Sequence, residues 1–200
     1  MLYTIVGLGN KGDEYVTTRH NIGRMLVEQF RKAHNFPEWQ SDSKNEKKKK
    51  YIFSKGKLGK HEILLILPEL FMNKSGVSVA TCVTSKKKAE QLVVVYDDVD
   101  LGFNDYKISF GRGSGGHRGV ESIIKSLKTK DFIRLRIGIS PTTPSGKVKK
   151  LKGEDKILSF LMGNLNKKEI EILPKISRMA NEIIETVVTE GRARAMNIHN

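Results

Sequence analysis

The run Leu92-Val93-Val94-Val95-Tyr96 constrains the fold more than any other stretch of the chain. Apolar residues with no polar position between them, three of them β-branched, make a strand buried on both faces. Such strands lie at the centre of sheets that carry helices on each side. The rest of the sequence supplies both kinds of partner. Leu2 to Leu8 reads as a second buried strand, and Tyr51 to Leu58 and His61 to Leu67 as a pair joined across Gly59-Lys60. Tyr106 to Phe110 and Leu135 to Ile139 read as two more. Between them Ile22, Met25, Leu26, Gln29, Phe30 and Ala33 mark one face of a helix. Val77 to Val83 predicts a short helix, and Val120, Ile123, Ile124 and Leu127 another. A last helix carries Ile176, Met179, Ala180, Ile183, Ile184, Val187 and Val188. The alternation predicts an α/β fold, one domain over residues 1–200, with a mixed, mostly parallel, twisted sheet flanked by helices. Residues 140–153, with two Pro, two Gly and four Lys, predict a flexible basic linker before the C-terminal helix.

A chain of 200 residues can bury a core without a covalent or metal staple. The single cysteine, Cys82, allows neither a disulfide framework nor a Cys-rich zinc site. The longest apolar runs fall far short of a bilayer span, and the N-terminus reads as a strand rather than a secretory signal. The expectation is a cytoplasmic protein with no membrane contact, and a monomer, because no heptad or long exposed apolar stripe is present. Charge gives the first positive clue. Thirty-six Lys and Arg against 22 Asp and Glu leave +14, a field that attracts polyanions, of which nucleic acid is the commonest in a cytoplasm. The excess is uneven, with eight lysines between residues 41 and 60 against Asp42 and Glu46. The lysine run at 44–50 reads equally as a solvated loop, and no specific role is assigned to it.

Two candidate sites compete for the end of the first strand. Gly7-Leu8-Gly9-Asn10-Lys11-Gly12 matches G-x-G-x-x-G, the pattern that brings a dinucleotide pyrophosphate to a helix N-terminus. Its context fails. Asp13 and Glu14 would repel phosphate, the next periodic helix begins only after His20, and no strand ending in an acidic residue follows at the right distance. The other reading is a hydrolytic site at the strand ends. The first strand leads to Asn10, Tyr15 and Thr18-Arg19-His20-Asn21, and the central strand to Asp97-Asp98 with Asp100 nearby. A histidine held by a carboxylate is a general base of fixed tautomer. The residues alone leave open whether His20 and Asp97 meet, since a histidine at a helix start also serves as a cap. No G-x-S-x-G elbow, activated cysteine or metal-ligand spacing is present, so no nucleophile, metal or cofactor is expected. What remains is water, activated by histidine, attacking an activated carbonyl such as an ester.

Six segments, in order from Ile5 to Ile139, resemble bacterial peptidyl-tRNA hydrolase. They are Ile5-Val6-Gly7-Leu8-Gly9-Asn10, Tyr15 to Gly23 (YVTTRHNIG), Phe71-Met72-Asn73-Lys74-Ser75-Gly76, Tyr96 to Leu101 (YDDVDL), Gly115-Gly116-His117-Arg118-Gly119 and Phe132 to Ile139 (FIRLRIGI). The resemblance implies hydrolysis of the ester joining a peptide to the 3′ ribose of tRNA, recycling tRNA from peptidyl-tRNAs released by ribosomes. It implies that His20 activates water, that Asp97 keeps His20 basic, and that Asn10 favours substrates with a blocked amine. It makes Asn73, Phe71 and Tyr15 peptide-binding residues, with plain core packing the lesser alternative for Phe71 and Met72. Gly111 to Gly119 is either a flexible connection or, by likeness, part of a lid from which His117 and Arg118 face tRNA or peptide.

The chain departs from the family pattern in three places. Lys11 stands where proline is usual, Arg118 where asparagine is often found, and Ser109 where a basic residue commonly helps hold the tRNA 5′ phosphate. Arg136 matches the other half of that phosphate contact, with Lys107 or Arg112 as substitutes for the missing half. Phosphate contacts make the expected partner, peptidyl-tRNA, bind in a salt-sensitive way. The alternative is a non-catalytic basic RNA-binding module of the same fold; a dinucleotide-dependent oxidoreductase ranks behind both.

Overall fold

The computed structural model describes residues 1–43 and 50–200; Lys44 to Lys49, and with them most of the lysine run, lie outside the described residues. One sheet of seven strands organises the chain in the order β2-β3-β4-β1-β5-β7-β6. The strands are β1 (Leu2–Gly7), β2 (Gln40–Ser41), β3 (Tyr51–Leu58), β4 (His61–Pro68), β5 (Leu92–Gly102), β6 (Tyr106–Phe110) and β7 (Ile133–Ser140). β1 pairs parallel with β4 and β5, and β5 parallel with β7, while β3 and β6 run the other way. The sheet is therefore mixed with most strands in one direction, as the sequence predicts.

β5 sits in the middle with both faces covered, which is why its sequence shows no polar alternation. Val93 and Val95 join Ile133, Leu135 and Ile137 in one core, closed by α1 (Ile22–Ala33) and α6 (Lys167–Thr189). Val94 and Tyr96 join Val6, Leu8 and Ile66 in a second core, closed by α2 (Ser75–Ala80) and α4 (Arg118–Leu127). Each fully buried aliphatic side chain contributes about 1.5–3 kcal/mol relative to an exposed one. On the second face β6 and β7 present Lys107, Ser109, Arg134 and Arg136, so this edge of the sheet is basic where the centre is apolar.

Several boundaries differ from the sequence reading. β5 runs on through Asp97 and Asp98 because β7 continues its ladder, with Asp97 opposite Ile137 and Asp98 opposite Gly138. The helix expected at Val77–Val83 is Ser75–Ala80, entered through a 3-10 turn at Met72–Lys74. The lysines 86–88 form a short helix, α3 (Lys86–Ala89), capped by the Ser85 hydroxyl. Following the 141–153 segment, α5 (Glu154–Met162) precedes α6, and α7 (Arg192–His199) closes the chain. Within the segment Thr142 bridges to Val148.

Glycines at the β1–α1 junction explain the G-x-G-x-x-G match without a nucleotide. A Cβ on Gly23 would lie 2.2 Å from the Val95 carbonyl oxygen, and one on Gly7 would lie 2.5 Å from that of Gly23. Helix α1 therefore crosses the sheet in backbone contact. Gly12 has φ 125°, and the Glu14 carboxylate lies against it, where a pyrophosphate would need donors.

Candidate active site

Helix α1 is preceded by a 3-10 turn, Arg19–Asn21, which buries His20 against Asp97 of β5. His20 Nδ1 lies 2.9 Å from both Asp97 oxygens. His117, the residue before α4, places Nε2 3.1 Å from Asp97 Oδ1, while its Nδ1 accepts the Val120 amide at 3.3 Å. A carboxylate only accepts, so both ring nitrogens that face it carry protons. The neutral His20 ring therefore keeps its lone pair on Nε2. His117 keeps none, because its Nδ1 caps α4. Tyr96 packs edge-on against His117 at 4.8 Å between ring centroids.

Electrostatics reinforce this geometry. Burial would raise the Asp97 pKa, but attraction and hydrogen bonds from His20 and His117 outweigh it and hold the carboxyl well below its ordinary range. Burial by itself would lower the His20 pKa. The Asp97 charge and hydrogen bond raise it above the ordinary histidine value against that burial and against the nearby Arg118. The three side chains offer ligand atoms within 4.8 Å of one another, a spacing that could admit a metal ion. A cation there would have to displace both protons donated to Asp97, so the donor set suits a hydrogen-bonded relay better.

An open cavity of about 210 Å³ lies over His20, walled by Asp98, Gly115, Gly116 and Arg118 and on the far side by Ile157, Leu158 and Leu161 of α5. The Arg118 guanidinium pairs with Glu154 across its mouth. Asn10 is tied to the His20 turn by two bonds with the neighbouring Asn21, Asn10 N to Oδ1 at 2.8 Å and Nδ2 to the Asn10 carbonyl at 2.9 Å. Its own Oδ1 accepts the Met72 amide at 2.9 Å, which leaves Nδ2 as a donor. Asn10 faces a neighbouring groove with Arg24, Met25 and Trp39 rather than the cavity over His20. Phe71 is exposed, and Asn73 lines a third hollow with Lys74, Lys125 and Arg118, which is the residue that this hollow shares with the cavity. Tyr15 ends a turn whose carbonyl accepts the Thr18 amide and hydroxyl. The site thus gathers His20, Asp97 and His117 tightly, and Asn10 through backbone ties. Tyr15, Phe71 and Asn73 lie on adjoining surface.

His117 lines the cavity beside His20, and both its ring nitrogens have partners within the protein. Arg136 lies opposite Lys107 in the β6–β7 ladder and donates from Nε to Asp98 at 2.6 Å. Arg112 is exposed on the loop above. Sequence reasoning missed Arg134, which is fully buried, donates to the Gly113 carbonyl and leaves Nε and Nη2 unpartnered. It also missed Asp98 as the anchor of Arg136. It missed the α5 wall as well, although acidic residues open that segment and Ile157, Leu158 and Leu161 share a face.

A family model described as peptidyl-tRNA hydrolase matches residues 4–200. The chain belongs to the peptidyl-tRNA hydrolase family. Peptidyl-tRNA hydrolase of Pseudothermotoga lettingae is 36% identical over 197 residues, covering 98% of this chain and 95% of the relative. That of Herpetosiphon aurantiacus is 37% identical over 203 residues, covering 100% and 90%. The crystal structure of peptidyl-tRNA hydrolase from Acinetobacter baumannii has a TM-score of 0.83 at 28% identity, covering 100% of this chain and 94% of that one. Among the described residues no helix is long and apolar enough to cross a membrane.

Proposed function

We propose that this chain hydrolyses peptidyl-tRNA at the ester between the peptide and the 3′ ribose, with His20 as general base. The observation that carries the reading is the His20–Asp97 pair, 2.9 Å apart at the floor of an open cavity. Water attacks the ester carbonyl as Nε2 takes its proton, and Asp97 stabilises the imidazolium. Collapse of the tetrahedral intermediate expels the ribose oxygen, which recovers the proton from His20. The products are a free 3′ hydroxyl and a peptide carboxylic acid, which loses its proton to solvent. His117 holds Asp97 from the other side and so fixes the carboxylate for His20.

The Asn10 amide, oriented by the Met72 N–H, is suited to donate to a peptide carbonyl, and thereby to favour substrates whose amine is acylated. Tyr15, Phe71, Asn73 and Arg118 carry the peptide and the tRNA 3′ end. Arg136, Lys107 and Arg112 contact tRNA phosphate, supported by the pairing of Lys107 with Arg136 at the edge of the sheet and the exposure of Arg112 on the loop that follows β6. The protein acts as a cytoplasmic monomer, one domain with the 140–153 segment linking to its C-terminal helices.

The test is release of N-acetyl-amino acid from N-acetyl-aminoacyl-tRNA, with free aminoacyl-tRNA as the control substrate. His20→Ala should lose about 10²–10⁴-fold in rate while still binding tRNA. A wild-type protein that binds tRNA and cleaves nothing is an RNA-binding module, and the catalytic roles fall.

A further inference from the structure

Arg19 has no part in the chemistry above, yet its side chain reaches from the turn that carries His20 to α5 and α6. Nε and Nη2 hold both Glu169 oxygens, at 3.2 and 2.8 Å. The guanidinium stacks over the Phe160 ring at 4.5 Å, and Nη1 donates to the Phe160 carbonyl at 3.4 Å. Both partners of the ion pair are largely shielded, with side-chain exposures of 12% and 13%. The backbone follows the same path. Arg19 N donates to the Gly163 carbonyl at 3.0 Å, and the Thr17 carbonyl accepts from Leu165 N at 2.9 Å. One residue therefore joins the turn that carries His20 to the end of α5 and the start of α6. Helix α5 supplies the apolar wall that faces His20 across the cavity.

We propose that Arg19 is a positioning residue that sets the separation of His20 from the α5 wall, and so the alignment of water and ester over the base. The inference rests on the reading of His20 as base. A bidentate guanidinium stacked on a ring has few alternative poses, so it passes on the position of α5 with little slack. Without it the turn and the helix keep the short backbone bridge and the Thr17 Oγ1–Asn164 Oδ1 bond at 3.0 Å, which leave the side-chain link to α5 and Glu169 unmade, and a misplacement near 1 Å can cost about 10²-fold in rate. Glu169 also completes the capping box of α6 with Asn166. Glutamine serves that box as well as glutamate, so Glu169→Gln removes the charge from the contact while keeping the cap. Asn166→Ala does the reverse.

The experiment measures kcat, KM, the pH profile of kcat/KM and the melting temperature for Arg19→Gln, Glu169→Gln, Asn166→Ala and His20→Ala on N-acetyl-aminoacyl-tRNA. The groups facing His20 are Asp97 from β5, His117 and Arg118 at the start of α4, and Asp98 and Glu154 at the cavity walls. None of these is altered in the Arg19 and Glu169 variants. Both variants are expected to lose about 10- to 100-fold in kcat with KM nearly unchanged. Their acid limb should move to lower pH as the His20–Asp97 contact loosens. Asn166→Ala should melt earlier yet keep kcat. Variants of Arg19 and Glu169 that melt earlier but keep kcat and the acid limb overturn the proposal, and so does an equal loss in Asn166→Ala. If Arg19→Gln does not fold, Glu169→Gln decides alone. An active His20→Ala sinks the general-base reading and this proposal with it; an inactive one beside unimpaired Arg19 and Glu169 variants sinks this proposal only.

Discussion

Replacing Asp97 by asparagine should cost most of the general-base contribution without touching substrate binding. Asp97 accepts from His20 Nδ1 with both oxygens and from His117 Nε2 with Oδ1. An amide keeps one acceptor and brings two donors. If its oxygen stays with His117, its NH2 group faces His20 Nδ1, and the imidazole must move its proton to Nε2 to avoid a donor–donor contact. Nε2 is then an N–H where the mechanism needs a lone pair. General-base help is worth about 10²–10⁴-fold, which is about 3–5 kcal/mol of barrier. The same carboxylate-to-amide change beside a catalytic histidine costs about 10⁴ in serine proteases, so the expected fall in kcat lies toward the upper end of that range. KM should hold, because Asp97 is fully buried. The pH profile supplies a second sign. The His20 pKa is raised, so in wild type the base stays protonated and idle to a higher pH than an ordinary histidine. Without the Asp97 charge, burial and Arg118 are left to lower it, and the acid limb of residual kcat/KM moves to lower pH. The assay is single-turnover hydrolysis of N-acetyl-aminoacyl-tRNA across pH. A variant with wild-type kcat, or an acid limb that stays in place, refutes the relay.

Linkage predicts that the stability cost of His20→Ala depends on pH. A raised histidine pKa contributes stability fully present below the unfolded value and lost as pH rises through the folded value, so denaturant midpoints should show a larger cost near about pH 5 than near about pH 8. Three phosphate contacts at Arg136, Lys107 and Arg112 give a salt slope near −2.7, so KM should rise about 40-fold over a fourfold increase in salt while kcat stays level; a flat KM would remove the basic sheet edge as the tRNA site. Gly23→Ala pushes a methyl to within 2.2 Å of the Val95 oxygen, backbone against helix, and should destabilise by about 3 kcal/mol or more in urea titration.

The strands were legible where burial is two-sided, because an unbroken apolar run has few other uses. The end of β5 was not. Asp97 and Asp98 are polar, and a polar residue in a strand is read as its terminus unless the partner ladder is known to continue. Helix α6 was legible only in its second half. Pro174 interrupts the helical pattern, and the Asn166–Glu169 capping box at its true start is a two-residue signal in a charged stretch. α5 was passed over for a related reason. It is nine residues long, has no fully buried residue, and its apolar face looks into a cavity rather than a core.

The site divides along the same line. His20 and Asp97 could be named because each borders an apolar run in the sequence and each is a residue type whose chemistry is scarce. Their meeting could not be derived, since it depends on α1 crossing the sheet closely enough for the turn before it to reach β5. Of the glycines that permit that approach, Gly7 and Gly23, the first belongs to a run that looks in sequence like a nucleotide loop. Arg19 and Arg134 were invisible for the opposite reason. An arginine in a chain of +14 reads as one more surface charge, and only tertiary structure shows Arg19 clasped by Glu169 and Arg134 sealed under Gly113. Charge count and charge function separate here. The exposed lysines supply the field that draws a polyanion, while the shielded arginines hold the loop and the turn that present Asp97 with its two histidines. Salt should therefore weaken the first effect and leave the second almost untouched, because a shielded ion pair is poorly screened.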